Sequence, residues 1–238
     1  MPKTRDSIRE TIYGFRDLTD RKQIASDNGF SNRWIYNYLI KYRARLLREK
    51  LRINRLTQYN YQTISCIPIV ETDLSECPCA PFSGCTFYKT LHPIPQPIDK
   101  LKSVTSIDGQ INYSFVEWER LENKIKSRIP KERTSAYYTL KDIGEGTHIY
   151  LYNDVHKKFI TVTGIFEDPL KVFIFPGCDG NIVQETCSSY LDWDFILDPD
   201  LKSLMYDLAI SQLLRAKSPA SDLFNDGNDI ITPSAPVK

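Results

Sequence analysis

Between Asn32 and Arg55, apolar or aromatic side chains recur at Ile35, Leu39, Tyr42, Leu46 and Ile53, and Tyr38, Leu47 and Leu51 widen the stripe. This is the period of a half-buried α-helix, and it predicts about six turns, roughly 35 Å at 1.5 Å per residue. Ser31 stands before it as an N-cap whose hydroxyl accepts from the free amides of the first turn. A shorter helix is expected over Thr4–Ser26, followed by Asp27-Asn28-Gly29, residue types that tolerate a left-handed backbone. From Gln58 the period changes to two. Tyr59, Tyr61, Thr63, Ser65 and Ile67 alternate with Asn60, Gln62, Ile64 and Cys66, which predicts a strand ending near Pro68.

Five prolines between positions 78 and 97, with Gly84 and three cysteines, argue against regular structure over most of Thr72–Asp99. A loop of that length is expected to be a contact element. Asp108-Gly109 lies between the runs Val104–Ile107 and Ile111–Val116 and predicts a hairpin closed by a type I′ turn. Trp118, Leu121, Ile125 and Ile129 repeat at helical spacing until Pro130. Three strands are expected next, over Tyr137–Lys141, Thr147–Asn153 and Phe159–Phe166, with Asn153–Lys158 as an exposed turn. Trp193, Phe195 and Leu197 alternate with Asp192, Asp194 and Asp198 as in a strand with one wet face. Asp198 then caps a last helix with Pro199 at its first position, followed by Leu201, Leu204, Met205, Leu208 and Leu213 or Leu214 and ending near Ala216.

The expected fold is α+β: an N-terminal helical pair and a C-terminal helix packed together, with an antiparallel β-rich body between them. The division is 1–57 helical, 58–198 β-rich with the Pro/Cys loop 72–99, 199–216 helix packing on the N-terminal helices, and 217–238 an extended C-terminal arm. The arm, 22 residues with three prolines and many Ser, Asp and Asn, has too little apolar content to fold alone. Leu223, Phe224, Ile230, Ile231 and Val237 are its candidate anchors on a partner.

At 238 residues, with 41% hydrophobic and 26% charged side chains, the chain can bury a sizeable core. It lacks both an apolar run near the roughly 20 residues of a membrane span and a signal-peptide h-region at its N-terminus, so a cytoplasmic setting with six reduced cysteines is expected. The net charge of +1 hides a division. Residues 1–60 hold 14 Lys and Arg against 6 Asp and Glu, a net +8, whereas the other 178 residues hold 17 against 24, a net −7. Such polarity fits a nucleic-acid face or a positive end that meets the negative end of a neighbour.

Catalytic and metal chemistry find no anchor. Cys77, Cys79, Cys85 and His92 form C-x-C-x5-C-x6-H, which lacks the paired C-x2-C knuckles of structural zinc sites, so loop cysteines without metal are expected. Cys178 and Cys187 bracket a glycine-containing loop and are expected to stay reduced. Gly144-Glu145-Gly146 precedes a strand and lacks the Gly-Lys-Ser/Thr ending of a phosphate loop, so it reads as a turn. His92, His148 and His156 lack a partner nucleophile and are expected at surfaces or interfaces. No catalytic, cofactor or metal site is expected.

Two patterns stand out. Gln23–Phe30, followed by Ile35 and Tyr38, has a helix-turn-helix look, though its second helix is long for a recognition helix and Asn28 occupies an apolar position. Lys41, Arg45, Arg48, Arg52 and Arg55 are spaced four, three, four and three, which places five cations on one helix face with only Glu49 interrupting. An acidic surface or DNA phosphates are expected opposite this face.

Taken together, the helical N-terminal pair, the Pro/Cys-rich loop, the blocks Tyr137–Leu140, His148–Asn153 and Lys158–Pro169, and the last helix with its polar tail resemble virion neck proteins of crAss-like tailed bacteriophages, in particular the head-to-tail connector ring below the portal. The resemblance implies a non-enzymatic subunit of a ring with the twelve-fold symmetry of the portal. It also implies contacts with the portal, with copies of itself and with other neck or tail ring proteins, genomic DNA in the channel without sequence specificity, and a place in the virion after assembly in the host cytoplasm. The arm is then a portal-binding element. A helix-turn-helix DNA-binding protein is the competing class.

Overall fold

Helix α1 (Ile8–Arg21) begins at a reciprocal cap: the Glu10 amide donates to Ser7 Oγ at 3.2 Å, and the Ser7 amide donates to Glu10 Oε2 at 2.7 Å. This capping box starts the helix four residues later than the hydrophobic pattern predicts. The computed structural model describes residues 5–21, 30–53, 55–72, 87–131, 135–144, 146–152, 158–178 and 189–217. The turn 27–29, most of the helix-turn-helix segment, Cys77, Cys79, Cys85, Cys187, His156 and the C-terminal arm, with Leu223, Phe224, Ile230, Ile231 and Val237, lie outside the described residues.

Helix α2 (Asn32–Arg52) is capped as expected, Ser31 Oγ accepting from the Trp34 amide. It stops at Ile53, three residues short of the expected end, because the Ile53 and Arg55 amides both turn back to the Lys50 carbonyl. Its apolar face, with Ile35, Leu39, Leu46 and Leu47 buried, packs against α1 through Ile8, Ile12 and Phe15 and against the last helix, α5 (Pro199–Lys217), through Leu201, Met205, Ala209, Ile210 and Leu213. Asp198 caps α5 and is itself gripped, its amide donating to Asn60 Oδ1 at 3.0 Å and its carboxylate accepting from Thr57 Oγ1 at 2.6 Å. The alternating segment before it is not a strand. A short 3-10 turn at Tyr190–Asp192 leads into an extended stretch tied to the start of α1 by a Ser7–Asp194 bridge and by the Phe195 amide on the Asp6 carbonyl.

The strands are β1 (Gln62–Thr72), β2 (Phe87–Thr90), β3 (Ser103–Ser106), β4 (Asn112–Phe115), β5 (Tyr137–Asp142), β6 (Thr147–Tyr152) and β7 (Phe159–Gly164). They close into a barrel in the order β1-β2-β6-β5-β4-β3-β7. Three expectations are corrected here. The body, expected to be antiparallel, is a closed barrel whose pairs are antiparallel but for one: β4 and β5 pair in parallel, α3 (Trp118–Ile125) supplying the crossover that a parallel pair requires. Strand β2 lies inside the stretch expected to be irregular, where Phe87–Thr90, free of proline, pairs with both β1 and β6. Strand β1 runs past Pro68 to Thr72, because Pro68 falls where the strand changes neighbours, from β7 to β2.

The β3–β4 hairpin is present, with a different turn. Four residues, Ile107–Gln110, make it, and Gly109 alone takes positive φ, at +70°, while the Asp108 carboxylate accepts from the Gln110 amide. The barrel interior holds Ile64, Ile67, Val104, Tyr113, Ile149, Leu151, Ile160 and Val162. Outside it, α3 lays Leu121 and Trp118 over Tyr137 and Tyr150. His148, expected at a surface or an interface, is instead 5% exposed within its own subunit, with Nδ1 within 2.9 Å of the Thr90 carbonyl, because β6 is covered on both faces.

Cys66 overturns the expectation that the cysteines stay reduced: it is disulfide-bonded to Cys178 across 112 residues. A bulge between Ile64 and Ile67 breaks the β1–β7 register and puts Cys66 in the left-handed region at φ +65°. Cys178 follows α4 (Pro169–Phe173), so the bridge ties that connection to the barrel wall.

Candidate assembly surface

The buried stripe of α2 faces α1 and α5, and Lys41, Arg45, Arg48 and Arg52 on the other side are all exposed, as is Arg55 just beyond the helix end. Arg45 reaches Glu49 at 3.6 Å, an exposed i,i+4 pair, and Arg48 pairs with Glu167 at the end of the barrel. Lys41, Arg52 and Arg55 have no ion-pair partner among the described residues. Between the stripe and the barrel lies a shallow pocket of about 210 Å³ lined by Arg48, Leu51, Arg52, Ile98 and Asp99. Among the described residues, the acidic part of the chain thus meets one cation of the five, and all five are exposed.

At the other end of α2, aromatic rings repeat every four residues. Phe30 stacks on Trp34 with centroids 4.1 Å apart, Trp34 on Tyr38 at 4.9 Å, and Tyr42 meets Tyr38 edge-on at 4.9 Å. Tyr38 OH donates to the Ala209 carbonyl, which docks this ladder on α5, while Trp34 stays 38% exposed. One face of the helix therefore carries charge, another carries aromatic surface, and a third is core.

What holds α2 at this angle was missed in the sequence. Arg43 is fully buried; its Nε donates to the Ile196 carbonyl at 2.6 Å and its Nη1 to the Phe166 carbonyl at 2.8 Å and the Glu167 carbonyl at 3.2 Å. Burial lowers its pKa from 12.5 to about 10. Beside it, Tyr36 OH donates to Asp168 Oδ1 at 2.8 Å, and burial followed by the Asp168 charge pushes that phenol well above its ordinary range. Asp168 also caps α4 by accepting from the Leu170 amide. Arg43 sits one turn from both Leu39 and Leu47, and a lone cation on an otherwise apolar face was the signal available.

No group of His, Cys, Asp and Glu side chains fit to hold a metal occurs among the described residues, and no described helix is long and apolar enough to cross a membrane. A family model described as phage tail ring protein 2, of the crAss ring families, matches residues 11–230. No curated protein matches the chain.

Proposed function

Because the chain belongs to the phage tail ring protein 2 family of crAss-like phages, we propose that it forms one ring of the neck, joining the portal to the tail and extending the channel through which the genome passes. The family is structural rather than enzymatic, and its members are virion components that assemble as rings. In this reading the ring has the twelve-fold symmetry of the portal, and the helix α2 stripe faces either the DNA in the channel or an acidic face of a neighbouring subunit. The observation that carries it is the exposed row Lys41, Arg45, Arg48, Arg52 and Arg55, of which a single member is paired, among the described residues, to the acidic part of its own subunit. A row of cations along a helix neutralises phosphates at regular intervals without reading bases.

Replacing Arg45, Arg48 and Arg52 together by Glu tests it. Exposed pairs contribute about 0–1 kcal/mol each, so the isolated subunit keeps its circular dichroism and nearly its thermal midpoint. Particles carrying the triple variant are expected to fail in assembly or to lose their genome. Normal titres of infectious particles would reduce the stripe to a solvated helix face.

A further inference from the structure

Where the connection after β2, the β5–β6 turn and α4 meet, a groove of about 480 Å³ opens on the surface, within the range of about 300–1,000 Å³ typical of ligand pockets. Its lining is more apolar than polar, with Pro93 and Pro95 after β2 and Ile174, Phe175 and Pro176 after α4; His92, Gln96 and Thr147 add polar groups and Lys171 supplies a positive charge. Leu91 and Ile143, 48% and 41% exposed, adjoin this lining in the chain and in the β5–β6 turn. The Cys66–Cys178 bridge fastens the connection just beyond Pro176 to β1, so that part of the groove is already in place before anything binds.

The chain itself carries a segment complementary to this groove. After α5 come 21 residues, 218–238, in which Leu223-Phe224 is flanked by Asp222 and Asp226, with Asp229 beyond and Lys238 as the only cation. At about 3.3–3.6 Å per residue they reach roughly 70 Å, several times the radius of gyration of about 18 Å expected for a domain of this length. A subunit of a ring contacts its neighbour head to tail, each giving one surface and receiving another.

We propose that the groove receives residues 218–238 of the neighbouring copy in the ring, with Leu223 and Phe224 entering the apolar lining and the flanking aspartates set toward Lys171. The proposal rests on the ring reading above, and it makes the next ring subunit, rather than the portal, the destination of the arm. Each subunit then donates one arm and accepts one, which links the ring in a single direction.

The test uses the full-length chain with the photo-cross-linking residue p-benzoylphenylalanine in place of Phe224, mixed with heavy-isotope chains. After rings are isolated by size, they are irradiated, and the linked peptides are mapped by mass spectrometry. Cross-links to 91–96 or 171–176 in mixed-isotope pairs are expected. Lys171→Glu with Ile174→Asp is expected to cut their yield about tenfold or more while thermal unfolding of the subunit stays unchanged. Links that map elsewhere from both this position and a second label at Leu223 overturn the docking, and links confined to same-isotope chains overturn its origin in the neighbour. Failure of the unlabelled chain to form rings at all, seen by light scattering, overturns the ring reading on which the proposal stands.

Discussion

A fully buried guanidinium is tolerated only where its charge and protons are matched, because desolvation costs several kcal/mol. Arg43 is matched in part, Nε and Nη1 donating to three carbonyls drawn from two places remote in sequence, 166–167 and 196, while Nη2 is buried without a hydrogen-bond partner among the described residues. Arg43→Ala leaves these acceptors buried and unpaired, and a loss of about 3–5 kcal/mol is expected from urea unfolding; a loss below about 1 kcal/mol would mean that water replaces the side chain. Four of the exposed cations, Lys41, Arg45, Arg48 and Arg52, were legible in the sequence because helical spacing alone puts them on one face, whereas Arg55 falls past the end of the helix. Arg43 was not, since a periodic reading sends every charge outward and has no means of knowing that carbonyls from a distant segment converge on that position. His148 failed in the same way: its burial depends on β2, which lies far away in the chain.

Among the elements, those whose signal is local were readable: the long helix and its Ser31 cap, the β3–β4 hairpin, the strands between Tyr137 and Gly164, and the Asp198-Pro199 start of α5. What remained hidden depended on distant partners. Strand β2 is four residues long in a proline-rich stretch, and its ladder comes from β1 and β6. The pairing of Cys66 with Cys178, separated by 112 residues, leaves no mark in local spacing. By restricting so long a loop in the unfolded chain, this bridge is expected to contribute about 4 kcal/mol. Cys178→Ser should therefore lower the thermal midpoint and make it insensitive to reductant, while the parent chain falls to the same value only when reduced. An unchanged midpoint in the variant would remove the bridge from the account of stability.

At the scale of the molecule, the α+β character was legible, because the change of period near residue 58 and again near 199 separates helical from extended segments. Closure of the sheet was not, since it requires both β2 and the parallel β4–β5 pair. The folded molecule also keeps several phenols out of water. Burial raises Tyr138 to about 12 and moves Tyr36, Tyr38 and Tyr206 still higher, all above the ordinary value of 10. The folded state holds these protons where the unfolded chain sheds them, so their stabilisation is complete below pH 10 and is lost as pH climbs toward 12. Arg43, lowered to about 10, acts with the opposite sign across that window, one group against four. The urea midpoint is expected to fall between pH 10 and 12, less steeply in Tyr138→Phe; a flat or rising midpoint would contradict this assignment. Barrel closure has one more consequence. Among the described residues every strand has a neighbour on each side over at least part of its length, so less of the barrel's backbone is left to recruit another chain by strand addition than in an open sheet. Copies of the chain are therefore left to join through side chains more than through backbone ladders.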